Sequence, residues 1–143
     1  MAREQDSITG AWSLVPMTLK GADGTKVKPF GDDPAGRILY TKDGYMMTVM
    51  SRKDRAFWDT PDPLGGTTIE KAQALESYST YAGRYTFDGK IVTHHIDLSL
   101  LPNWSGAIET RFVDMAGDRL KLTTEPFEIY GGMYTGEAEW RKV

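Results

Sequence analysis

The sequence predicts an all-β fold, an antiparallel barrel of eight short strands carrying one mid-chain helix. Three observations predict it. Turn signals recur at short intervals, at Ala22-Asp23-Gly24, Lys42-Asp43-Gly44, Asp88-Gly89, Ala116-Gly117-Asp118 and Gly131-Gly132. Each pairs Gly with a residue that tolerates positive φ, as hairpins require. Between them lie runs of strand length, rich in β-branched and aromatic residues. The 15 Gly and 7 Pro among 143 residues exceed what a helical bundle tolerates. The length fits one domain over 1–143, with enough chain to bury a core unaided.

The elements follow in order. The first strand runs near 8–19, where Pro16 predicts a bulge or bend because it cannot donate to a ladder. Strands follow near 36–41 and 45–51. The segments 20–34 and 52–66 are polar, with Gly and Pro, and read as loops. A helix is expected over 67–81. Thr67 and Glu70 are spaced for a capping box, and Ile69, Ala72 and Leu75 for one buried stripe. Fifteen residues would span about 22 Å and cover one barrel end as a lid. Strands near 82–88, 91–100, 109–115, 119–124 and 135–142 complete the set. Eight short strands joined by tight turns suit an antiparallel barrel or sandwich.

Composition excludes several function classes. Zero Cys rules out disulfides, thiolate metal sites and Cys nucleophiles. A net charge of −3 gives no reason to bind nucleic acid or an anionic membrane. The basic run Arg52-Lys53-Asp54-Arg55 beside Phe57-Trp58 is short and holds an acid, so it reads as a solvated loop. No apolar run reaches the ~18–20 residues of a membrane span. The start, MAREQDSITGAW, has no apolar export core, so a cytoplasmic location is expected. Neither a P-loop nor a dinucleotide fingerprint nor a nucleophile elbow is present. No cofactor and no metal are therefore expected, and the chain is expected to be a monomer or homodimer.

Side-chain alternation assigns faces. Asp88-Gly89 as a two-residue turn pairs Phe87 with Lys90 and Tyr85 with Val92, placing Tyr85, Phe87, Val92, His94 and Ile96 together. The turn at 42–44 places Ile38, Tyr40, Met46, Thr48 and Met50 together. A turn over 116–119 pairs Met115 with Leu120 and Val113 with Leu122, and brings Glu109 and Arg111 to the same side. Trp12, Leu14, Ala138 and Trp140 join them. The apolar members mark this face as the interior, which then also holds Tyr40, Thr48, Tyr85, His94, Glu109 and Arg111. A one-residue slip would exchange His94 for His95.

These inward polar groups are the candidate chemistry. His94 and His95 point to opposite faces and cannot chelate one metal together. His94 either fills the lumen as a bonded core residue or serves as a general acid/base, for which an imidazole suits neutral pH. Arg111 either pairs with Glu109 or holds a ligand oxygen. Tyr85, or Tyr40, would donate a positioning hydrogen bond. Met46, Met50, Thr48, Tyr81, Leu122 and Trp140 are candidate pocket wall, and Trp104 a cap at the mouth or a contact for the helix.

The text is also familiar. Gly10-Ala11-Trp12 resembles the G-x-W signature of lipocalins, and Arg141 is placed like the lipocalin arginine that packs over that Trp. PFGDDPAGRILYTKDGYM at 29–46, DPLGGT at 62–67, VTHHIDLSLLPNWSG at 92–106 and DRLKLTT at 118–124 resemble the bacterial and fungal lipocalin-like domain family. The resemblance covers nearly the whole chain. It implies a lipocalin-like, calycin-type barrel with an internal cavity, and members that act as cyclases, isomerases or binding proteins. The expected function is binding of a small apolar or amphipathic metabolite, as a cofactor-independent cyclase, isomerase or dehydratase, or else as a carrier without chemistry. The expected cavity has about 300–1,000 Å³, for a ligand of roughly 15–25 heavy atoms.

Overall fold

The computed structural model describes residues 6–143; the first five residues, part of the stretch read above for an export signal, lie outside the described residues. The elements are β1 (Gly10–Gly21), β2 (Lys26–Val27), β3 (Ala35–Tyr40), β4 (Tyr45–Ser51), helix α1 (Thr68–Glu76), β5 (Tyr78–Phe87), β6 (Ile91–Ser99), a 3-10 turn (Pro102–Trp104), β7 (Ile108–Ala116), β8 (Arg119–Thr124), β9 (Phe127–Ile129) and β10 (Gly132–Lys142). Eight strands pair antiparallel in the order β1-β3-β4-β5-β6-β7-β8-β10, and β10 returns to β1, so the barrel closes. Closure leaves no long unpaired edge. The short β2 and β9, absent from the sequence reading, flank β1 and β10.

Alternation sets the core. In β3 and β4, Ile38, Tyr40, Met46 and Thr48 are buried while Arg37, Leu39 and Met47 face out. The expected pairs Tyr40–Met46, Met115–Leu120 and Val113–Leu122 are all present. The 88–89 hairpin differs: Phe87 pairs with Val92 and Tyr85 with His94, so the loop holds four residues. Asp88 explains it, because its carboxylate accepts from the backbone N–H of both Lys90 and Ile91 and widens the turn. The register error is two residues, which preserves side-chain parity, and His94 still faces inward. The bulge expected at Pro16 lies between Leu14 and Met17. At the β9–β10 turn, Tyr130 and Gly131 both have positive φ, as a two-residue hairpin demands.

Two expectations are corrected. The helix begins at the predicted capping box, with both halves formed between Thr67 and Glu70, but ends at Glu76. Tyr78 to Tyr81 instead pair with Ser51 to Thr48 as the start of β5. Their aromatic and β-branched side chains favour a strand, and the β4 edge offers the hydrogen bonds. Nine residues span about 14 Å, and no residue of α1 is buried; Ile69 is 70% exposed. The second correction concerns Arg141, which pairs with Ser13 and points outward. Lys142 pairs with Trp12 and sets its ammonium 4.6 Å from the Trp12 ring centroid. Parity demands this, since Trp140 faces inward.

The two barrel ends differ. Trp12, Tyr40, Met46, Tyr85, Phe87, Val92 and Leu120 pack one end solid. Ile8, fully buried, seals it from below, and its carbonyl accepts the Trp12 Nε1–H at 2.9 Å. The other end is open and holds the site.

Candidate ligand-binding site

The open half of the barrel encloses a cavity of about 670 Å³. That volume lies inside the expected range for a small-molecule site. Its apolar walls include Met17, Ile38, Met50, Leu122, Ala138 and Trp140, one or two from each of several strands. Its mouth is framed by Leu101, Asn103 and Trp104 on one side and Glu125 to Ile129 on the other. Trp104 sits there edge-on to Tyr81, with ring centroids 6.0 Å apart. Its role is thus at the mouth rather than against the helix, which contributes nothing to the lining.

His94 lies at the inner end, 1% exposed. Tyr40 Oη is 2.7 Å from its Nε2 and Tyr81 Oη 2.7 Å from its Nδ1, so both ring nitrogens are engaged. Burial, then the charge of Arg111 and then His95, pushes the His94 pKa down to about 3. The imidazole is therefore neutral at pH 7. Burial likewise raises Tyr40 well above the usual phenol value. Tyr81 is raised too, mainly by burial, with the Arg111 guanidinium acting in the opposite direction. The three rings form an uncharged polar floor.

Arg111 and Glu109 flank that floor on β7. Arg111 Nη1 donates to Glu109 at 3.3 Å and to the Thr110 carbonyl at 2.9 Å. The anticipated ion pair is present, and both groups border the cavity. Thr48, Met50, Tyr81, Leu122 and Trp140 border it as expected. Among the described residues Trp140 Nε1 has no hydrogen-bond partner, and it has almost no accessible surface, so the indole presents carbon rather than its N–H.

Three sequence candidates stand apart from the cavity. Tyr40 reaches it only through His94. Met46 is packed in the solid half. Tyr85 donates its hydroxyl to the Thr41 carbonyl at 2.7 Å, at the sealed end, and does not line the cavity. Tyr85 thus lies away from the cavity in which the expected catalytic role would place it. Conversely, Met17 and the 125–129 segment escaped the sequence reading. Met17 turns inward because the Pro16 bulge resets parity, a signal that was visible. A three-residue β9 is too short for alternation to reveal.

A second concavity, of about 790 Å³, lies outside the barrel between α1 and the 52–58 segment. Its cations are already engaged: Arg52 pairs with Asp54, and Arg55 donates to Ser77 and to the Ala74 carbonyl. The lumen, walled by strands on all sides, is the better-formed site. Among the described residues no cluster of His, Asp and Glu is arranged for a metal ion, and no helix is long and apolar enough to cross a membrane.

The chain is 35% identical over 89 residues to the 4′-hydroxy-3′-methoxypropiophenone carrier protein ppsC of Aspergillus oryzae, covering 56% of this chain and 80% of that protein. A lipocalin-like protein from Bacteroides uniformis aligns with a TM-score of 0.48 and 19% identity, over 95% of this chain and 98% of that one. Residues 9–143 match the lipocalin-like domain family, and the chain belongs to it.

Proposed function

We propose that this protein binds a small, mostly apolar metabolite in the open half of its barrel and carries or sequesters it without transforming it. The observation that carries this reading is the occupied imidazole. A general acid/base needs a ring nitrogen free to meet substrate, and both nitrogens of His94 are held by tyrosines. A pKa near 3 also makes it a poor proton donor or acceptor at neutral pH. The enzymatic alternative, a cofactor-independent cyclase, isomerase or dehydratase, asks for chemistry that this neutral floor is ill suited to supply. The relative named as a carrier of 4′-hydroxy-3′-methoxypropiophenone supports an aromatic ketone as the first ligand to try.

The test is a titration of tryptophan fluorescence with that compound, followed by mass spectrometry of the recovered ligand. Saturable quenching, weakened in Trp104→Ala, with the compound recovered unchanged is expected. Stoichiometric conversion to a product would overturn the carrier reading in favour of catalysis. Absence of saturable binding across a panel of aromatic ketones would overturn both.

A further inference from the structure

The hydrogen positions on the cavity floor are constrained by proton count. A neutral imidazole has one N–H and one lone pair. His94 faces a tyrosine hydroxyl at each nitrogen, 2.7 Å away in both cases. Two patterns satisfy both contacts. In one, Tyr81 donates to Nδ1 and Nε2–H donates to Tyr40, which leaves the Tyr40 O–H to find another acceptor. In the other, Tyr40 donates to Nε2 and Nδ1–H donates to Tyr81, which leaves the Tyr81 O–H.

The surroundings of the two tyrosines separate these patterns. Tyr40 is 1% exposed, does not border the cavity, and its hydroxyl makes no other hydrogen bond among the described residues. A spare O–H there would be buried without a partner, which is unfavourable. Tyr81 borders the cavity and is 6% exposed, so of the two tyrosines it is the one with the lumen within reach of a spare O–H. Arg111 borders the same cavity, and a hydroxyl that accepts from Nδ1–H keeps its own proton to offer.

We propose that His94 stands as the Nδ1–H tautomer, so that Tyr81 is committed to donate into the lumen and, beside Arg111, receives the carbonyl oxygen of an uncharged ketone that inserts polar end first. The proposal rests on the binding role above and specifies its ligand. An uncharged ligand is favoured because Glu109 already offsets Arg111, and Glu125 and Glu128 place further carboxylates at the mouth. Tyr40 and His94 are positioning residues, since neither touches the ligand oxygen.

The experiment uses the full chain and two independent readouts. Nitrogen-15 NMR of the imidazole at neutral pH identifies which His94 nitrogen carries the proton. Calorimetric titration compares propiophenone with propylbenzene, which lacks the oxygen, and with 3-phenylpropanoate, which is charged. The proton is expected on Nδ1. Propiophenone is expected to bind roughly tenfold more tightly than propylbenzene, as one unshared hydrogen bond allows, and Tyr81→Phe to erase that preference. A proton on Nε2 would overturn the donor assignment even if Tyr81→Phe fails to fold. Equal affinities for propiophenone and propylbenzene would overturn it as well, while leaving the cavity as a binding site. Tighter binding of the carboxylate would overturn the uncharged class. Failure of all three probes to bind would sink the binding role itself, and the NMR result would still decide which tyrosine donates.

Discussion

Tyr40 and Tyr81 hold His94 from opposite ring nitrogens, each at 2.7 Å. Three strands are tied by this contact, since Tyr40 ends β3, Tyr81 lies in β5 and His94 in β6. The imidazole therefore acts as a strut across the interior, and its removal has mechanical consequences.

His94→Ala should destabilise the fold by about 3 kcal/mol, because it leaves a cavity and two tyrosine hydroxyls without their partner. Urea denaturation measures this directly. A melting temperature within about 2 °C of the parent would deny the strut role.

Acid should weaken the protein through the same residue. The folded pKa of His94 is about 3, against 6.5 for an unperturbed imidazole. Between those values the unfolded chain holds a proton there that the folded chain does not, so stability rises with pH. The slope from this one site approaches about 1.4 kcal/mol per pH unit. The stability is complete above pH 6.5 and drains away as pH falls towards 3. Carboxylates held low, such as Glu137 beside Lys121 and Lys20, add their own loss at the acidic end. The interval between about pH 5 and 6.5 is the one to measure. His94→Gln should flatten it; an unaltered slope would show that the proton uptake lies elsewhere.

Gly83 sits at the bulge between β5 and β6, where an added Cβ would stand 1.9 Å from the His95 carbonyl oxygen. Backbone cannot yield as a side-chain tip can. Gly83→Ala should cost about 3 kcal/mol. A loss below about 1 kcal/mol by chemical denaturation would mean that the strands part readily at this point.

At the sealed end, Lys142 and Arg141 should respond differently. Lys142→Ala removes the cation over Trp12 and the hydrogen bond to the Thr9 carbonyl, a loss of about 1 kcal/mol. Arg141→Ala should fall within about 0.5 kcal/mol of the parent. The reverse ranking in a thermal melt would restore the arginine to the role suggested by family resemblance.

The barrel was legible because its hairpins carry their own chemistry. Gly44 and Gly117 adopt positive φ at the turns where the sequence places them, and each turn passes its parity to the next strand. This is why His94 was placed inward although the 88–91 loop was read two residues short. A helix has no such arithmetic at its end. Thr67 and Glu70 announce the start of α1, but nothing local stops it at Glu76; the stop comes from β4, whose edge claims Tyr78 to Tyr81. The fate of His94 was equally hidden. Its inward direction follows from alternation, whereas its capture by Tyr40 and Tyr81 depends on how far apart β3, β5 and β6 stand across the lumen, a distance that only closure sets. Arg141 was misplaced because a motif was given precedence over alternation.

The stopper of Ile8 beneath Trp12 makes this a blind tube. Whatever goes in must come out by the same opening, and the part that enters first leaves last. Under the proposed carrier role, a recipient would have to approach from the rim where Trp104 and Phe127 stand, and would meet the trailing end of the molecule.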